Sequence, residues 1–239
     1  MTIDFATIIE AFFFIVKRLP VTLFIPAVSL AVGIVLGSVI AIIRLRSGKI
    51  VNSVLATGVS FVRAVPAIVQ VFILYYSLPY LLAPFLSSLT GSVVKPFDVS
   101  PYWTAYIFFI IYQTAYQSEN IRGALLAVDK GQMEAAMAAG LSTYQTYKRI
   151  ILPQAFAVAV PSFFTYYLHG VKSLALLFTI KIVDIFAAAD IFAALYSRRT
   201  EPYIADALLY WVLCIVLTLV FNKWENNLKV NLALAKKLI

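Results

Sequence analysis

Charge is what this chain has least of. Only 13% of its 239 residues are Asp, Glu, Lys or Arg, where a soluble domain carries about 25%. Hydrophobic residues supply 62%. The deficit excludes an ordinary water-solvated domain and argues for lipid as the solvent, since each charge in hydrocarbon costs a few kcal/mol. Cysteine is almost absent. Cys214 stands alone in an apolar run, so no internal disulfide can form. With one histidine, His169, and no Cys/His cluster, no metal site is expected. No G-x-x-x-x-G-K-[S/T] loop is present to cradle a nucleotide phosphate. The N-terminal Met-Thr-Ile-Asp-Phe lacks a basic n-region, so a cleaved signal peptide is not expected. Low-complexity linkers are missing too, which leaves one domain over residues 1–239.

What is present is apolar and long. About 20 apolar residues cross a bilayer core. Pro20–Ile43, Ala64–Leu82, Tyr102–Ser118 with its helical continuation, Ile150–Val171 and Tyr203–Asn222 each qualify, the last carrying only Asp206. Period-2 alternation of the barrel kind is absent, so backbone satisfaction in lipid makes these segments helices. The fold expected is an all-α integral membrane bundle of about five transmembrane helices, with a core over about residues 20–222. Phe5–Val16 is shorter and is closed by Lys17 and Arg18, which suits an interfacial helix. Lys172–Pro202 mixes apolar runs with Lys181, Asp184, Asp190, Arg198, Arg199 and Glu201, and is expected to form short helices packed on the bundle.

The net charge of +8 points to anionic lipid and to topology rather than to nucleic acid, because the basic residues sit between apolar runs. Arg44, Arg46, Lys49 and Arg63 follow the first span. Arg122, Lys130, Lys148 and Arg149 follow the third, and Lys223, Lys229, Lys236 and Lys237 the fifth. Five spans put all three groups on one side, which the positive-inside rule makes cytoplasmic. The N-terminus is then outside and the C-terminus inside.

Residues 129–150 form the most informative cytoplasmic loop. Asp129 suits a helix N-cap, with Gln132 placed to reach back. Glu134 lies in the early turns, where the helix dipole favours an anion. Ala135, Ala136, Ala138 and Ala139 favour helix and leave a small-faced surface, and Gly140 suits the end of the helix. Ser142 and Gln145 repeat the capping pattern, and Pro153 suits the first turn of the helix that re-enters the membrane. These residues alone describe either an ordinary surface helix or one that docks into a partner.

Glu134-Ala135-Ala136, then Gly140, then Ile150 and Leu152-Pro153, resembles the EAA loop of bacterial binding-protein-dependent ABC transporter permeases, at the family spacing. Arg63-Ala-Val-Pro66 with Gln70 resembles the "RGTP…Q" segment of the polar-amino-acid branch. Ala115-Tyr116, Glu119, Arg122-Gly123, Lys130-Gly131-Gln132 and Leu152-Pro153-Gln154-Ala155 resemble further pieces of it. The likeness runs from about Thr22 to the tail. It implies a multi-pass bacterial cell-membrane protein that hydrolyses nothing itself and has no cofactor of its own. ATP and magnesium belong to a partner ABC ATPase, into which the helix bearing Glu134, Ala135, Ala136 and Gly140 docks. A second permease subunit completes the pathway, and an extracellular or periplasmic binding protein delivers the amino-acid substrate.

Lys172 ends an uncharged run containing Tyr166, Tyr167 and His169. An ammonium there could pair with a substrate carboxylate, as the resemblance implies, or snorkel to an interface. Ser173, His169 and Tyr166 are the accompanying pocket candidates, and for His169 a hydrogen-bonded core role is the alternative. The branch often reads Lys-Asp-Thr-Ser-Leu where this chain has Lys172-Ser173-Leu174-Ala175-Leu176. That departure argues against a strongly cationic substrate, and Leu177–Ile180 looks more like cystine-type members. Glu119 and Arg122 are spaced for a helical ion pair. Arg63, Pro66 and Glu119 are candidates for an inner gate, although Arg63 also fits plain topology. A stand-alone secondary transporter is the rival reading. It would need membrane carboxylates, for which Asp184, Asp190 and Asp206 are available, and an inverted repeat.

Overall fold

The structure is a computed structural model. It describes residues 3–237, with side chains through residue 227. Met1 and Thr2 at the N-terminus, and the side chains of Lys229, Lys236 and Lys237 counted above for topology, lie outside that description. Ten α-helices follow in order among the described residues: α1 (Phe5–Ile15), α2 (Leu19–Arg46), α3 (Lys49–Ala64), α4 (Ala67–Thr90), α5 (Pro101–Leu126), α6 (Lys130–Ala138), α7 (Thr143–Thr146), α8 (Leu152–Ser173), α9 (Ile185–Tyr196) and α10 (Thr200–Lys237). A π-helical turn, Tyr147–Ile151, leads into α8, and a 3-10 helix, Leu174–Ile180, leaves it. No strand occurs among the described residues.

The five expected spans correspond to α2, α4, α5, α8 and α10. Four stretches are long and apolar enough to cross a membrane on composition alone: Phe5–Arg46, Ala67–Thr90, Thr143–Ile180 and Thr200–Asn227. α5 has the length, 26 residues, but its second half is polar. The reason is its position in the bundle. Gln113, Gln117 and Ser118 are buried against other helices, so protein rather than lipid solvates them.

The α2–α5 contact is the closest in the bundle. A Cβ on Gly33 would stand 2.6 Å from Gln113 Cβ, and one on Gly37 would stand 2.8 Å from the Ser118 amide nitrogen. Small residues four apart let the two backbones approach, the usual device for helix pairing in lipid. A second core joins α2, α4, α5 and the 3-10 helix through Ile25, Val71, Phe108, Phe109, Leu174 and Leu177.

α1 differs from the interfacial helix expected. Ala11 and Ile15 are buried against Ile185, Ala188, Phe192, Ala205 and Leu209 of α9 and α10. A 3-10 turn at Val16–Arg18 then carries the chain into α2. Phe5, Ile9 and Phe13 stay exposed on the other face, so the helix is amphipathic toward protein rather than toward water. The short helices expected within Lys172–Pro202 are the 3-10 helix and α9.

Candidate functional site

α6 is capped at both ends by its own residues. The Asp129 carboxylate accepts a hydrogen bond from the Gly131 amide at 2.8 Å. The reciprocal capping-box contact expected from Gln132 does not form; Gln132 gives its backbone N–H to the Asp129 carbonyl at 3.1 Å. With the cap satisfied two residues along, Gln132 is free to face outward, and it is exposed. At the other end Gly140 has φ of 86°, which a residue with a Cβ adopts only under strain. The Gly140 amide donates to the Met137 carbonyl at 3.0 Å and the Leu141 amide to the Ala136 carbonyl at 3.1 Å. That pair of bonds is a Schellman stop. Ser142 and Gln145 form the expected capping box around α7.

Glu134 and Ala135 are exposed, whereas Ala136 is buried and anchors the helix to the body. Behind α6 lies a cavity of about 690 Å³, lined by Ile42, Leu45, Arg46, Met133, Tyr147 and Leu152 among others. The helix is therefore held by its ends and by one small residue. Ala135, Ala138 and Ala139 are exposed, and Glu134, also exposed, borders the cavity.

Lys172 and His169 open into a cleft of about 330 Å³ between α8 and α10, beside Phe164, Thr218, Asn222 and Glu225. The Phe164 and Phe221 rings stack at 4.1 Å and join the two helices. Lys172 is exposed and shares this cleft with Thr218 and Asn222 of α10. Tyr166 does not share the cleft. Its ring packs against Tyr116 at 5.4 Å, in a row that continues to Tyr112, and its carbonyl accepts from Gln113 Nε2 at 3.3 Å. Ser173 is half-buried and does not line the cleft.

Arg63 and Pro66 meet at the break between α3 and α4. The Arg63 guanidinium lies 5.3 Å from the centre of the Tyr116 ring. Pro66 directly precedes α4. Gln70, buried one turn in, donates from Nε2 to the carbonyls of Val62 and Val65, both at 2.8 Å. The break thus leaves these two carbonyls satisfied inside the bundle. Glu119 is occupied elsewhere. It accepts from Arg44 Nη1 at 2.6 Å and from Arg122 Nη2 at 2.7 Å, and Arg44 also reaches Asn52 Oδ1 at 3.3 Å. The expected Glu119–Arg122 pair is present. Its third member, Arg44, had signalled only topology in the sequence, because nothing there placed it opposite a residue 75 positions away. No group of three His, Cys, Asp or Glu residues suited to a metal occurs among the described residues.

A family model described as the binding-protein-dependent transport system inner membrane component matches residues 33–229. A "Probable amino-acid permease protein" of Bacillus subtilis (strain 168) is 33% identical over 225 residues, covering 94% of this chain and 96% of its own. The L-cystine transport system permease protein of the same organism is 33% identical over 214 residues, covering 89% and 86%. The glutamine transport system permease protein of Escherichia coli (strain K12) is 27% identical over 230 residues, covering 96% and 100%. Among solved structures, an amino acid ABC transporter crystallised with histidines superposes with a TM-score of 0.79 at 25% identity, covering 95% of this chain and 100% of that one. The MetNI methionine ABC transporter, at 16% identity and a TM-score of 0.69, shares the fold over 90% of this chain and 96% of its own.

Proposed function

Since the chain belongs to the family of binding-protein-dependent transport system inner membrane components, we propose that it is the permease subunit of an ABC importer that carries a polar amino acid across the bacterial cytoplasmic membrane. Relatives named for amino acids in general, for cystine and for glutamine support that substrate class, and cystine is the member favoured by the apolar residues after Lys172. The chain itself is non-catalytic. ATP and magnesium bind a separate ATPase subunit, and an extracellular or periplasmic binding protein delivers the substrate. A second permease, identical or related, completes the pathway. The N-terminus faces out and the C-terminus faces the cytoplasm.

The observation that carries this reading is α6. A nine-residue helix, capped at both ends and exposing Glu134 and Ala135, is a rigid peg for a groove on the ATPase. Closure of the ATPases on binding ATP would push the peg, and α5 and α8, which flank the loop, would pass the motion into the membrane as alternating access. Lys172, with His169 beside it, offers an ammonium to the α-carboxylate common to all amino acids. Ser173 and Tyr166 act from neighbouring faces. Arg63 and Pro66 mark the inner gate, and Glu119 braces the helices around it.

The test is a pull-down of the detergent-solubilised chain from its native membrane, with and without Glu134→Lys. The expected result is a nucleotide-binding subunit that co-purifies with the wild type and is lost from the variant. Wild-type protein that came through alone and moved amino acids into liposomes without ATP would overturn the reading in favour of a secondary transporter.

A further inference from the structure

The cavity of about 690 Å³ behind α6 has the size of a ligand pocket. Ile42 and Leu45 of α2, Leu126 of α5, Met137 of α6 and Leu152 of α8 are on its lining. Each of the five is between 41% and 58% exposed. Large apolar side chains gathered at one opening mark a binding surface rather than a solvated one. Four of them stand at the ends of the spans α2, α5 and α8. The opening is therefore level with the edge of the bilayer's apolar core.

Charges of both signs share that lining. Arg46 is the last residue of α2 and is exposed, with its guanidinium 5.7 Å from the centre of the Tyr147 ring. Arg44, two residues earlier, is held by Glu119, whereas Arg46 makes no ion pair among the described residues. Lys130, the first residue of α6, is likewise exposed and makes none. The acids are Asp129 and Glu134. Asp129 accepts from the Gly131 amide, and Glu134 is exposed.

A polar solute would leave the apolar wall wet, and a plain hydrocarbon would leave the cations unanswered. A molecule with fatty chains and a charged head meets both needs. A head that was only negative would face Asp129 and Glu134 as well as the cations. A head with a phosphate and an ammonium matches two cations and two carboxylates. We infer that the cavity behind α6 binds an aminophospholipid of the cytoplasmic leaflet. Its chains lie against Ile42, Leu45 and Leu126, its phosphate meets Arg46 and Lys130, and its ammonium turns toward Glu134. Basic pockets between helix ends on the cytoplasmic side suit lipid headgroups, and long Arg and Lys side chains reach that level readily. The inference rests on the cytoplasmic placement of the α6 loop proposed above. It makes the bilayer itself a support for α6 on the side opposite any docked ATPase.

The experiment places the full-length chain with its partner subunits in phosphatidylcholine nanodiscs. Each sample receives a trace of phosphatidylethanolamine, phosphatidylglycerol or diacylglycerol with the same diazirine-bearing chain. Peptide mapping by mass spectrometry compares labelling of the cavity walls with labelling of the rest of the chain. Phosphatidylethanolamine should label the walls at least about fivefold more than diacylglycerol, and more than phosphatidylglycerol. Arg46→Ala should cut that preference by about fivefold. The wild-type comparison stands by itself should the variant fail to fold. Equal labelling by diacylglycerol would mean ordinary boundary lipid and overturn the proposal. Stronger labelling by phosphatidylglycerol would make the site one for anions and overturn it too. Walls left unlabelled by all three would assign the cavity to protein, the ATPase or the second permease, and also overturn it. No arm needs ATP or substrate, so the importer reading, tested by the pull-down, can fail while the lipid result stands.

Discussion

The Glu119 carboxylate receives Arg44 Nη1 at 2.6 Å, joining the end of α2 to the end of α5 where both leave the apolar part of the bundle. Arg122 grips the second oxygen of Glu119 from one turn away. The carboxylate is thereby bound on both oxygens, and Arg44 is 8% exposed. Removing one partner from such a site leaves the other charged and poorly solvated. Arg44→Ala should therefore destabilise the chain by about 3 kcal/mol. Arg44→Leu combined with Glu119→Leu should recover part of the loss. Apparent Tm in one detergent, read as a double-mutant cycle, checks this.

The α2–α5 approach predicts a contrast between glycines. Gly33→Ala and Gly37→Ala each place a methyl group within 3 Å of α5 atoms and should cost about 1–3 kcal/mol. Gly58→Ala in α3 meets nothing within 4 Å and should be neutral or stabilising by up to about 1 kcal/mol. Thermal scans of the three variants would decide. Equal behaviour would mean that the close packing is not what α2 needs its glycines for.

At the end of α6, Gly140→Asp puts a Cβ at φ of 86°, costing about 1–2 kcal/mol locally. The protein should remain in the membrane while substrate uptake falls at least tenfold. Quantitative membrane blots beside uptake assays separate the two effects. Normal uptake with normal abundance would show that the stop after α6 tolerates other shapes.

Lys172→Ala should lower uptake while leaving ATPase subunits bound. The readouts are transport in proteoliposomes and the stoichiometry of the purified complex. Unchanged uptake would remove Lys172 from the substrate path. Gln70→Leu should destabilise by about 2–4 kcal/mol, because the Val62 and Val65 carbonyls lose a shared donor inside the bundle.

The spans and the α6 loop were legible because their signals are local. Apolar runs of bilayer length, a capping aspartate and a stop glycine act on residues within a turn or two. α5 was legible in length but not in role, since the burial of Gln113 and Gln117 depends on which helices surround them. Arg44 shows the same limit from the other side. Its charge sits beside Arg46 and Lys49 in sequence and reads as a topology signal, while its partner comes from α5. Lys172 ends an uncharged run in the sequence, which gives its place on α8 but not its neighbours; Thr218 and Asn222 beside it come from α10. Tyr166 stands near Lys172 in sequence, yet six residues of helix put the two side chains about 120° apart around α8, against different neighbours.

The two caps of α6 have an evolutionary consequence. A helix of nine residues has little stability of its own, and most helices that short borrow their shape from what they touch. Here Asp129 starts the helix and Gly140 ends it with bonds made inside the segment. Its form is written into about a dozen consecutive residues. Such a segment is portable. Mutations elsewhere in the chain can accumulate without reshaping the helix that we propose docks into the ATPase.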